Sequence, residues 1–255
     1  MSGSLRFEGA APTVAAMARV ALFDPCYLGA LRPSDAEHAR RVLEALGDEV
    51  ALIDGRCCGQ PAFNSGFRGE AKSAGLQLLR AARGFDAVVV ASGSCTSMVT
   101  HYLPGLFDGA KARGARQIAG RFHEFATYVN AHPNVAALAL RLEGTVAYHD
   151  SCHLRRELGA TDAVAALLGR VQGLEVRRLA HEAECCGFGG AFSVKLPEVS
   201  GAMLRAKLDD VSATGVRVLV STDVSCLAQI EAGARGTGVM IETWSIAELL
   251  AKALP

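Results

Sequence analysis

Short aliphatic runs alternate with helical stretches along nearly the whole chain. The runs at residues 20–23, 50–53, 87–91 and 146–149, then 174–176, 216–221 and 239–241, predict strands. Helical patterns lie between them. Ser34-Asp35-Ala36-Glu37 reads as a capping box, in which the serine oxygen accepts from unpaired helix amides and the glutamate reaches back. Ala36, Ala39, Val42, Leu43 and Leu46 then keep one apolar face, and Gly47 can end the helix. Thr161-Asp162 opens a comparable helix with Val164, Leu167 and Leu168 on its face. Further helices are predicted to begin near Phe67 and near Pro197, where proline suits a first turn. Such alternation predicts an α/β fold with mainly parallel sheets and helices on both faces.

The pattern occurs twice. Cys57-Cys58-Gly59 lies between Cys26 and Cys95, and Cys185-Cys186-Gly187 lies between Cys152 and Cys226. Equivalent cysteines are 126, 128, 128 and 131 residues apart, so the chain carries an internal duplication. Asp24-Pro25-Cys26 echoes Asp150-Ser151-Cys152, and Ser94-Cys95 echoes Ser225-Cys226. The expected architecture is two pseudo-symmetric Rossmann-like lobes, residues 17–135 and 136–255. Residues 1–16 are small and aperiodic, and are expected to form a flexible extension.

Composition narrows the function. Lys plus Arg equals Asp plus Glu at 26 each, which leaves no basic field for nucleic acid. Apolar runs such as 87–91 and 135–140 are far too short to span a bilayer. Arg6 and Glu8 interrupt the start, so no secretory leader is expected and a cytoplasmic setting is. In a reducing compartment the eight cysteines favour metal binding or catalysis over disulfides. No Gly-x-Gly-x-x-Gly follows the first strand and no Gly-Lys occurs, which disfavours nucleotide binding.

Ligand sites in parallel sheets lie beyond the carboxyl ends of the strands, where all eight cysteines are predicted to fall. Thiolates bind iron–sulfur clusters, zinc and copper(I). Adjacent cysteines fit one zinc ion poorly, because neighbouring side chains must turn to the same point. A cluster offers each a different metal atom, so the spacing favours a cluster. A thiol–disulfide redox protein and a zinc-stabilised scaffold are the alternatives.

The strings Cys57-Cys58-Gly59-Gln60-Pro61-Ala62-Phe63, Ser92-Gly93-Ser94-Cys95, His149-Asp150-Ser151-Cys152-His153-Leu154-Arg155-Arg156 and Glu184-Cys185-Cys186-Gly187-Phe188-Gly189-Gly190 resemble the cysteine-rich CCG-domain family of iron–sulfur oxidoreductases. Within it they are most similar to the lactate-utilisation protein A branch. The resemblance covers about residues 17–255. It implies an iron–sulfur electron-transfer subunit of a system oxidising L-lactate to pyruvate, with Cys26, Cys57, Cys58, Cys95, Cys152, Cys185, Cys186 and Cys226 as ligands of one cluster per lobe. It also implies partners: a ferredoxin-like iron–sulfur subunit and a further lactate-utilisation subunit. In the wider family each repeat ends in Cys-x-x-Cys; here Met98 and Gln229 stand at the fifth-cysteine positions.

Other residues carry weaker signals. His149, His153 and His181 are candidate ligands or proton carriers, or else loop-edge residues or hydrogen-bond donors to cluster sulfur. Asp24 and Asp150 are expected to cap helix ends. Arg155 and Arg156 are candidates to grip a carboxylate substrate, or else a solvated helix face.

Overall fold

The aliphatic runs become strands in a computed structural model that describes residues 17–53 and 57–255; the expected extension, residues 1–16, lies outside the described residues. The first sheet contains β1 (Arg19–Phe23), β2 (Glu49–Ile53), β3 (Ala87–Val90) and β4 (Phe122–Glu124), in the order β2-β1-β3-β4. The second contains β5 (Arg141–His149), β6 (Gln172–Arg178), β7 (Val218–Ser221) and β8 (Glu242–Ser245), in the order β6-β5-β7-β8. Every ladder pairing is parallel. The fold is therefore the expected one, with one α/β topology used twice.

The helices follow the same plan. The first lobe has α1 (Cys26–Leu31), α2 (Ser34–Ala45), α3 (Gln60–Asn64), α4 (Arg68–Ala81), α5 (Gly93–Ser97), α6 (Gly109–Ala119) and α7 (Phe125–Ala131). The second has α8 (Thr161–Leu168), α9 (Ala191–Lys195), α10 (Pro197–Ala213), α11 (Val224–Thr237) and α12 (Ile246–Ala253). Wider π-type turns occupy Met98–Tyr102 and Leu154–Leu158.

Strand side chains point alternately to opposite faces, and here both faces are covered. Val20 and Leu22 of β1, with Ala87 and Val89 of β3, face a central core, while Ala21, Phe23, Val88 and Val90 face an outer one. In the second lobe Val146 and Val220 face the same central core, and Ala147 and Leu219 face another outer core. The central core is shared between lobes: Leu43 of α2 and Phe125 of α7 lie in one cluster with Val164 of α8 and Leu250 of α12. Burying each such side chain contributes roughly 1.5–3 kcal/mol, so the lobes are joined by apolar packing. An ion pair and several hydrogen bonds reinforce the join. Arg32, just past α1, donates to Thr243 O at 2.8 Å and to Glu248 Oε2 at 2.7 Å, while Glu157 accepts from Ser97 Oγ and Tyr102 OH.

Three local expectations give way. The strand expected at residues 239–241 forms instead at Glu242–Ser245, while Val239 and Ile241 pack beside the outer core. The edge strand β4 was not expected, since Phe122-His123-Glu124 is short and mostly polar. The capping box at Ser34 does not form: α2 starts after Pro33 with no side-chain cap, Asp35 pairs with Arg32, and Glu37 pairs with Arg40. Among the described residues, no helix is long and apolar enough to cross a membrane.

Candidate metal centre

In each sheet the strand order reverses between two central neighbours, β1 and β3 or β5 and β7. Connections there leave in opposite directions and open a crevice at the carboxyl ends. Cys26 begins α1 just after β1, the Cys57-Cys58 pair follows β2, and Cys95 lies in α5 after β3. Cys152, the Cys185-Cys186 pair and Cys226 follow β5, β6 and β7 in the same way. All eight line one cavity of about 410 Å³ between the lobes. None forms a disulfide.

The thiols of each set are linked in the same order. Cys57 is pulled well below the usual thiol range by hydrogen bonds from Cys26 and then Cys58, and Cys185 by those from Cys152 and Cys186. Cys58 also donates to Cys95 Sγ at 3.3 Å, and Cys186 interacts with Cys226. A backbone amide completes each arrangement: Gly59 N lies 3.3 Å from Cys57 Sγ, and Gly187 N lies 3.4 Å from Cys185 Sγ. One anionic sulfur per quartet is thus stabilised, while Cys58 and Cys186 are pushed up by donating to it and by burial.

The glycines are required by the backbone. Gly59 has φ +91° and Gly187 φ +86°, in the left-handed region. A Cβ would stand 2.7 Å from Ala71 O at the first and 2.5 Å from Ser200 O at the second. Ser200 Oγ in turn donates to Gly187 O at 2.7 Å and accepts from Gln229 Nε2 at 3.3 Å. Gln229 therefore braces the Cys-Cys-Gly turn, and Met98 is buried in the first lobe's outer core. Neither lines the cavity.

The lobes meet at equivalent positions. Ser92 and Asp223 each stand three residues before a cysteine, and they form an antiparallel bridge. Contact between equivalent residues marks a local twofold relation. Asp223 accepts from Ser225 N at 3.2 Å, and its other oxygen accepts from Ser94 N at 2.9 Å. One carboxylate thus caps both cysteine-bearing helices, α5 and α11. Sequence reading missed this residue; its only signal was the Ser-Cys echo beside it. Replacing Asp223 with Ala is expected to lower stability by about 1–3 kcal/mol, because the buried amide of Ser94 and the half-buried amide of Ser225 lose their acceptor. Thermal unfolding checks this, and an unchanged melting temperature would refute the double cap.

The remaining candidates sort differently. His153 lines the cavity, 3.7 Å from Cys152 Sγ through Nδ1 and 3.3 Å from Gln60 Nε2 of the other lobe. His181 is largely exposed beside Asp210. His149 ends β5 beside the loop and is fully buried, and burial lowers its pKa to about 4, so the imidazole is neutral at pH 7. Arg155 is held by Asp150 at 2.9 Å and Glu182 at 2.6 Å, and Arg156 binds Ala183 O. Neither arginine lines the cavity, so the carboxylate-gripping role has no geometric support. Ser151, not Asp150, caps the turn after Cys152 by accepting from Leu154 N at 3.3 Å.

Two convergent sets of four thiols, each with an amide donor to one sulfur, match the donor chemistry of a thiolate-held iron–sulfur group. Within each Cys-Cys pair the two sulfurs take different further partners, Cys26 for Cys57 and Cys95 for Cys58, and likewise Cys152 for Cys185 and Cys226 for Cys186. The residues present therefore fit such a group.

The CCG family, described as a cysteine-rich domain, matches residues 20–100 and 146–231, one match per lobe. A lactate utilization protein A of Macrococcus caseolyticus (strain JCSC5402) is 37% identical over 235 residues, covering 91% of this chain and 96% of that protein. A lactate utilization protein A 1 of Bacillus anthracis (strain CDC 684 / NRRL 3495) is 34% identical over 239 residues, covering 92% and 99%. Among solved structures, an aspartate racemase homologue from Pyrococcus horikoshii OT3 aligns over 92% of this chain and 96% of its own at 12% identity; its TM-score of 0.32 is too low to carry fold or function across.

Proposed function

We propose that this chain, which belongs to the cysteine-rich CCG-domain family in its lactate utilization protein A branch, is the iron–sulfur electron-transfer subunit of a system oxidising L-lactate to pyruvate. The observation that carries the reading is the pair of cysteine quartets on one cavity, in a chain similar along nearly its whole length to proteins named for lactate utilization. The proposal treats residues 17–135 and 136–255 as the two CCG lobes.

An iron–sulfur group held by each quartet would supply one-electron transfer, and two such groups match the two electrons that lactate loses on becoming pyruvate. The protein's own part is to hold and insulate. Cys57 and Cys185 supply the most readily ionised sulfurs, fixed by the amides of Gly59 and Gly187. Cys58, Cys186 and Cys226 are buried, which keeps water from those positions. Asp223 and Ser92 set the separation of the two lobes at the cavity.

The system needs further subunits in this reading: a ferredoxin-like iron–sulfur protein and another lactate-utilisation protein. Taken alone, the chain is expected to give no lactate-dependent reduction of an artificial acceptor, and with those partners it is expected to turn over. Robust turnover by the single purified chain would place lactate oxidation on this subunit and overturn the proposal. A thiol–disulfide reading has one observation of its own, the 3.3 Å contact between the sulfurs of Cys58 and Cys95. It predicts reversible bridging with neither iron nor sulfide bound.

A further inference from the structure

The two quartets share their thiols and amides, yet the ground beneath them differs. Under the first quartet the core is apolar: Phe23, Leu78 and Ala81 pack there. At the equivalent positions of the second lobe stand His149, Lys207 and Asp210. His149 ends β5 as Phe23 ends β1. Lys207 and Asp210 follow from the 129-residue offset that places Ser200 against Gly187 as Ala71 lies against Gly59.

Lys207 and Asp210 are satisfied locally. Lys207 Nζ donates to His181 O at 2.8 Å and lies 3.6 Å from Asp210, whose oxygens accept from Ala180 N and His181 N. His149 is not satisfied. Its side chain is fully buried, and neither ring nitrogen has a hydrogen-bond partner in the protein. Leaving a buried polar group unpaired costs about 1–3 kcal/mol. A ligating nitrogen of His149 and the sulfurs of Cys186 and Cys226 all lie within 4.8 Å of one another. One soft ion, or one edge of a cluster, can reach all three. Neutral imidazole is the ligating form, and thiolate and imidazole together suit zinc, copper and iron.

We propose that His149 gives the second-lobe centre a nitrogen donor that the first-lobe centre lacks, so that the two centres are chemically different. This rests on the reading of Cys186 and Cys226 as ligands. The first centre has sulfur donors over an apolar floor formed by Phe23. The second combines sulfur with imidazole from His149, which takes over a donor role that Gln229, turned toward Ser200, does not fill.

The test uses the full chain labelled with nitrogen-15 histidine and loaded anaerobically with cadmium-113 as the probe. The expected spectrum contains one cadmium site coupled to a single histidine nitrogen and a second site with none. The coupling should vanish in His149→Phe, which places at 149 the residue type found at position 23, and should persist in His153→Phe. Cadmium in the second quartet without histidine coupling would overturn the proposal, since a buried water then satisfies the imidazole. Coupling that survives His149→Phe, or failure of the second quartet to take cadmium, would overturn it as well. Iron and sulfide analysis of the unlabelled protein separates this from the broader reading. Coupling without bound iron and sulfide leaves the donor assignment standing and removes the iron–sulfur reading. Iron and sulfide with no coupling does the reverse.

Discussion

Replacing Cys186 with Ser is expected to remove about half of the iron and sulfide from the chain while leaving it folded, because a hydroxyl is a much poorer iron ligand than a thiolate. Cys186 is buried among Leu219, Ile230 and Val211 of the second lobe's outer core. Serine keeps nearly the same volume there, at a cost of about 1–3 kcal/mol for a buried hydroxyl. The central core shared by both lobes is untouched, so the circular dichroism spectrum should not change. Cys58→Ser is expected to do the same to the first quartet. In the reconstituted system each variant should lose lactate-dependent reduction. Unchanged iron and sulfide in the Cys186 variant would exclude it as a ligand.

Gly187→Ala should destabilise the protein and disturb the second quartet together, although it adds a single methyl group. The left-handed backbone costs a residue with a Cβ about 1–2 kcal/mol, and the clash with Ser200 O at 2.5 Å and Met203 Cβ at 3.1 Å adds about 1–3 kcal/mol. Relief of that clash moves the amide that donates to Cys185. The expected result is a lower melting temperature together with reduced iron content. Gly114→Ala is the control. Gly114 is an exposed residue of α6 with nothing within 4 Å of the added carbon, and this change is expected to stabilise by about 0.4–1 kcal/mol. A Gly187 variant as stable and as iron-rich as the parent would show that the turn is not constrained as described.

The parts of the fold that were legible in the chain are those buried on both faces. Residues 87–90 are wholly aliphatic, and a continuous apolar run bounded by small residues has few other places to go. The duplicated topology was legible because cysteines and strands recur in one order. Edge elements were not. β8 contains Glu242 and Trp244 and reads as polar, and β4 is only three residues long, so neither carries a periodic signal. The capping box failed because α2 begins one residue early, with Pro33 at the cap position, which puts Ser34 inside the helix, and because Glu37 turns forward to Arg40 instead of back.

At the site, the cysteines announced themselves by spacing, but the groups around them did not. Asp223 becomes a double cap only when the lobes meet, since one of its partners, Ser94, is 129 residues away. Gln60 and His153 likewise meet across the cavity. The sequence places His149 at the end of a predicted strand, but it does not show that the imidazole is buried close to Cys186 and Cys226. Arg155 read as a possible substrate grip, because its partners Asp150 and Glu182 converge only in the folded lobe.

The most direct test of the central claim is elemental. The full chain, purified without oxygen, should contain iron and acid-labile sulfide in near-equal amounts, and removing them with acid and a chelator under reducing conditions should leave eight titratable thiols in the unfolded chain. Zinc without sulfide would make the quartets a structural scaffold. Neither metal nor sulfide, with cysteines that bridge reversibly, would make them a dithiol system and contradict the account.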